Sequence, residues 1–97
     1  MMSTITVVAK LVARKDSLEA VKTELLKLIE PTRRERGCIE YRLHQDNGDP
    51  AVFVFYENWE SSASLEKHTT TDHYKAYVSA VDSLLEGKTV NKMTRIV

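Results

Sequence analysis

The sequence predicts a single α+β domain with its elements in the order β-α-β-β-α-β. Alternating apolar residues mark a strand at the start of the chain, a central pair reads as a hairpin, residues 88–97 read as a last strand, and two stretches with helical spacing separate them. Only 3 Gly and 2 Pro punctuate 97 residues, so the elements follow one another without linkers, repeats or low-complexity stretches.

Residues 4–14 place Ile5, Val7, Ala9, Leu11 and Ala13 at alternate positions, with Val8 and Val12 on the other face, and read as a strand. Asp16 followed by Glu19 is a capping-box pattern. Leu18, Val21, Leu25, Leu28 and Thr32 then recur at helical spacing to about Arg36, with a stop expected at Gly37 and a kink at Pro31. Residues 38–46 alternate again, Asn47-Gly48-Asp49-Pro50 is a turn by composition, and residues 51–60 give the strongest strand signal, so the pair reads as a hairpin. Ser61 or Ser62 caps a short helix through Leu65 and His68. Thr69-Thr70-Thr71 breaks it, and Asp72 caps a second helix whose stripe is Tyr74, Tyr77, Val78, Val81, Leu84 and Leu85. Gly87 ends that helix and residues 88–97 form the last strand. This is the ferredoxin-like split βαβ order: a four-stranded antiparallel sheet with its helices on one face.

Fourteen Lys+Arg balance 14 Asp+Glu, which argues against a nucleic-acid binder working by phosphate neutralisation. The lone Cys38 excludes an intrachain disulfide framework and a multi-cysteine zinc site, and it reads as a small buried residue. No apolar run approaches the ~20 residues that cross a bilayer. Residues 1–14 lack the pattern of a signal peptide, and a cytoplasmic location for one domain over 1–97 is the expectation. A domain of this size buries only roughly 60–65% of its unfolded surface, so a partner subunit is expected to supplement the core.

The hairpin faces point to function. With Asp46 opposite Ala51, one face carries Glu40, Arg42, His44, Phe53, Phe55, Glu57 and Trp59. The other carries Ile39, Tyr41, Leu43, Val52, Val54, Tyr56 and Asn58. The apolar face is expected to pack on its copy in a homodimer. The mixed face is expected under the helices, lining a small-molecule pocket. The alternative for Glu40, Arg42 and Glu57 is a cross-strand ion-pair group without a ligand.

Gly37-Cys38-Ile39-Glu40-Tyr41, Leu43-His44-Gln45-Asp46, Phe53 through Trp59, Leu65-x-x-His68 and His73-Tyr74 together resemble the antibiotic-biosynthesis monooxygenase (ABM) domain. The resemblance covers essentially the whole chain. It implies a dimeric α+β barrel that oxidises quinols, polyphenols or anthrone-like tricyclic phenols with O₂ and needs neither metal nor flavin. In the tricyclic-phenol oxygenases a His on the second strand and a Trp closing the third line the pocket, which matches His44 and Trp59. Two further pocket positions hold Phe55 and Leu65 where those enzymes carry Asn and Tyr, which shifts the expectation to a quinol-type substrate. Haem-degrading relatives use an Asn in the first strand, and residues 4–14 have none.

Cofactor-free oxygenation needs a base that makes an electron-rich anion and a pocket that excludes water. His44 is the first candidate base and His68, on the same helix side as Leu65, the second. Phe53, Phe55 and Trp59 supply aromatic walls, Glu57 would orient an imidazole or pair with Arg42, and His73 is a further pocket candidate. His68 and His73 are five apart with no evident third ligand, so no metal site is expected. Two other readings stand beside the oxygenase. One is a non-oxidative isomerase or processing enzyme for a small phosphorylated signal such as autoinducer-2, which Arg42 would favour. The other is a non-catalytic small-molecule-binding domain.

Overall fold

The computed structural model describes residues 4–97, so residues 1–3 of the segment read above for a leader lie outside the described residues. Four strands, β1 (Ile5–Ala13), β2 (Cys38–Gln45), β3 (Val52–Trp59) and β4 (Leu85–Met93), pair antiparallel in the order β2-β3-β1-β4. The split βαβ order therefore stands. Val7, Ala9, Leu11 and Ala13 alternate onto the buried face as their period of two requires.

The helical stretch after β1 differs in detail from the expectation. A 3-10 turn at Lys15–Ser17 comes first, and Asp16 does not cap the helix but accepts a hydrogen bond from the Ser17 hydroxyl at 3.1 Å. Helix α1 (Leu18–Leu26) then stops, and a short α2 (Ile29–Arg33) follows. The break precedes Pro31, which sits in the first turn of α2, where an absent N–H costs little. Val21, Leu25 and Leu28 are fully buried, each stabilising by about 1.5–3 kcal/mol. Gly37 adopts φ 94° and leads the chain into β2. A Cβ there would collide with Ser64 Oγ and meet Ser64 Cβ at 2.6 Å.

Helix α3 (Ser62–His68) is capped by Ser61, whose hydroxyl accepts from the Ser64 amide at 3.2 Å. Helix α4 (Asp72–Val81) is capped by Thr71 rather than Asp72. It gives way to a 3-10 turn at Asp82–Leu84, and β4 starts three residues earlier than expected. Gly87 consequently lies inside β4, beside the irregularity where β4 meets Val12 and Ala13.

The hairpin register is the main correction. Gln45 pairs with Phe53, Leu43 with Phe55, Tyr41 with Glu57 and His44 with Val54. The alignment is one residue from the expected one, and a one-residue slip exchanges the faces of a strand. Tyr41 and Leu43 therefore join Phe53, Phe55, Glu57 and Trp59 under the helices. Glu40, Arg42 and His44 turn outward with Val52, Val54, Tyr56 and Asn58. The cause is the turn: Asp46 N–H donates to the Val52 carbonyl at 2.9 Å, and the Asp46 carboxylate accepts from the Gly48 and Asp49 amides at 2.9 and 2.8 Å. This fixes a connection one residue longer than the composition suggests.

Candidate active site

A cavity of about 310 Å³ lies between the sheet and the second helical pair. Val7, Ala9, Tyr41, Phe55 and Glu57 form its sheet side, and Leu65, Glu66, His68, Thr69, Tyr74 and Tyr77 its helical side. Lys88, Val90 and Lys92 of β4 complete it, and β4 is exposed along most of its length, so the cavity opens there.

His68 closes α3 and is 3% exposed. Its ring lies 4.7 Å from the Trp59 ring, 5.0 Å from Tyr74 and 5.9 Å from Tyr41, centroid to centroid. Its Nδ1 is 2.6 Å from Glu35 Oε2, a partner that only accepts when ionised, so Nδ1–H donates. Among the described residues Nε2 has no hydrogen-bond partner, which leaves that nitrogen for a molecule in the cavity. Burial pulls the imidazole below its usual range, the Glu35 hydrogen bond and charge oppose this, and His73 adds to the lowering. The neutral ring with an open Nε2 is a base oriented by a carboxylate.

Glu57, 5% exposed, accepts Trp59 Nε1–H at 2.9 Å. Burial pushes its carboxyl up to about 7, against the pull of the Trp59 hydrogen bond, with Glu35 adding to the rise. It can hold a proton at neutral pH and give it to oxygen. Tyr41 and Tyr77 are held far above the ordinary phenol range, first by burial, and are neutral walls. Lys88 stands 5.1 Å from the Tyr77 ring centre.

The expected site residues divide into groups. Phe55, Glu57, Leu65 and His68 line the cavity. Trp59 is fully buried behind it, holding Glu57 and packed at a tilt against His68. Phe53 is buried in the core away from the cavity. His73 sits behind His68, with Nε2 2.6 Å from Glu35 Oε2. His44 is exposed on the outer sheet face, away from the cavity. Arg42 is outside too, with Nε 2.6 Å from Glu40 Oε2. Asn58 first, then Arg42, hold Glu40 below the usual carboxylate range. Sequence reasoning missed Glu35, Tyr41, Tyr74, Tyr77 and Lys88. The Tyr74–Tyr77 stripe was visible but reads as core, and Tyr41 was lost with the register.

The family model for antibiotic biosynthesis monooxygenase matches residues 4–80. The chain belongs to this family. It is 34% identical over 85 residues to the Mycobacterium tuberculosis protein named "Putative monooxygenase Rv0793", covering 88% of this chain and 83% of that one. It is 35% identical over 71 residues to the Escherichia coli K12 protein named "Probable quinol monooxygenase YgiN", covering 65% of this chain and 68% of that one. The crystal structure of PA3566 from Pseudomonas aeruginosa superposes with a TM-score of 0.94 at 33% identity, over 98% of this chain and 96% of that one. The ferredoxin-like fold and the ABM membership expected from the motifs are thus both established, and these two relatives carry monooxygenase names.

Proposed function

We propose that this ABM domain is a cofactor-independent monooxygenase that oxidises a small quinol or phenol in the cavity beneath α3 and α4, with His68 as its base. The observation that carries the reading is the buried Glu35–His68 pair: Nδ1 is anchored, Nε2 is open, and the ring is flanked by Trp59, Tyr41 and Tyr74. Triplet O₂ reacts with a closed-shell molecule only when that molecule can pass it one electron. Nε2 takes the phenolic proton, and the resulting anion gives O₂ that electron. Recombination forms the C–O bond, and the second oxygen leaves as water. For a hydroquinone the balance closes without an external reductant: hydroquinone plus O₂ gives a hydroxyquinone plus water. Lys88 and Lys92 favour the anion on the open side, and aromatic walls exclude water.

The test is O₂ uptake with a panel of quinols and polyphenols and no added cofactor. Replacing His68 with Gln should lower turnover about 10²–10⁴-fold, whereas His44→Ala should leave it unchanged. Uptake no higher than the blank across the panel overturns the reading. The two lysines favour one other reading, a non-oxidative enzyme for a small phosphorylated metabolite, which would turn over its substrate without consuming O₂.

The outer sheet face supports a homodimer. Val8, Val12, Val52 and Val54 are only half-buried there, and Ile39, Tyr56 and Met93 are 55%, 38% and 47% exposed. A second copy laid sheet to sheet would cover this surface.

A further inference from the structure

We propose that Glu35, His68 and His73 form a binding site for a divalent cation of the zinc type, set behind the cavity wall. The three donor atoms, Oε2, Nδ1 and Nε2, lie within 4.8 Å of one another. One carboxylate oxygen stands 2.6 Å from both ring nitrogens, so both imidazoles are aimed at one point.

Three separate segments bring them there. Glu35 lies in the turn after α2, with its amide donating to the Thr32 carbonyl at 3.0 Å and its carbonyl accepting from the Cys38 amide at 3.2 Å. His68 ends α3 and His73 is the second residue of α4. Five positions apart on one continuous helix, the two rings would diverge. The intervening threonines bend the chain instead. Their hydroxyls donate to the carbonyls three residues back: Thr69 to Glu66 at 2.7 Å, Thr70 to Lys67 at 2.7 Å and Thr71 to His68 at 2.8 Å. The bend turns a spacing with no metal signature into a convergent pair.

Two imidazole nitrogens and one carboxylate oxygen suit a borderline first-row ion, with water in the fourth position. A tetrahedral ion at 2.0–2.2 Å from each donor needs donors roughly 3.3–3.6 Å apart. The Glu35 carboxylate therefore has to move back by about an ångström, and the two ring nitrogens, which lie with it inside 4.8 Å, have to settle at the same spacing. His68 and Glu35 are 3% and 11% exposed at the side chain and His73 is 24%, so the ion would enter past His73.

Neither Glu35 nor His73 lines the cavity, so this ion would not touch the substrate. Its effect passes through His68. A cation on Nδ1 displaces the proton held there onto Nε2, and the nitrogen that faces the cavity becomes a donor. If His68 is the base, a consequence resting on the function proposed above, zinc switches the enzyme off.

Calorimetric titration of the full chain with ZnCl₂ near neutral pH tests the site directly, and visible absorption of the Co(II) form reports its geometry. One equivalent per chain is expected, with binding weakened more than about tenfold in both His73→Ala and Glu35→Gln and unchanged in His44→Ala. Failure of wild-type protein to saturate at one equivalent by millimolar zinc overturns the proposal. So does unaltered affinity in His73→Ala, a partly exposed position outside the buried core, where the change leaves the core intact. Binding is read without turnover, so the site stands or falls apart from the oxygenase reading. Inhibition of O₂ uptake by ZnCl₂ in wild type, absent in His73→Ala, supports the switch.

Discussion

Burial lifts the Glu57 carboxyl from 4.5 to about 7, and the consequence for stability has a definite sign. Between those values the folded chain holds a proton that the unfolded chain has released. Stability therefore falls as pH rises through that window and stays low above it. The difference is worth roughly 3 kcal/mol. Glu57→Gln keeps an acceptor for Trp59 Nε1–H and removes the buried charge. Its urea unfolding midpoint should match wild type at pH 4 and exceed it clearly at pH 8. Equal midpoints at pH 8 would show that water reaches the carboxylate. The sequence revealed Glu57 as a member of the aromatic face, but not its role. That Arg42 does not meet it depends on a register that composition does not encode.

At the scale of elements, most of the fold was legible. Period-two alternation located β1 and β2, the apolar run at 51–60 located β3, residues 88–97 were read as the strand that begins at Leu85, and the run of three threonines marked the break between α3 and α4. The hairpin register was not legible, because it depends on whether the connection holds an even or odd number of residues. Asp46 decides that by accepting two amides, a choice its neighbours do not announce. The same parity moved His44 out of the candidate site and Tyr41 into it. Glu35 was illegible for another reason: it meets His68 and His73 only through the packing of three elements. Gly37 is the joint that sets α2 against β2, and its positive φ and the closeness of Ser64 tie α3 to that joint. Gly37→Ala should destabilise by about 1–3 kcal/mol, combining backbone strain with the collision at Ser64. Gly48→Ala, where a Cβ would meet only Asp46 Oδ2 at 3.3 Å, should cost less in the same thermal unfolding measurement.

For the molecule as a whole, the helices cover one sheet face and leave the other to water or a partner. Among the described residues, no helix is long and apolar enough to cross a membrane. The partner proposed for the open face is a second copy. Sedimentation equilibrium at micromolar concentration should then give twice the 11.1 kDa chain mass. Val54→Lys, a charge in the middle of that face, should return the mass to one chain, because its ammonium would lose water without gaining a counter-ion. Wild-type protein that sediments as a monomer would remove the proposal. The core itself does not include Val54 and should survive the change.

Trp59 is the chain's single tryptophan, and its indole is packed at a tilt against His68 and hydrogen-bonded to Glu57. The protein therefore carries its own optical reporter, placed against the base of the proposed chemistry and the buried carboxyl beside it. Protonated imidazole quenches indole emission by accepting an electron, while neutral imidazole does so weakly. The fluorescence of the untouched chain thus offers a running record of the state of His68, and a ligand entering the cavity can be followed by light alone, with no label attached.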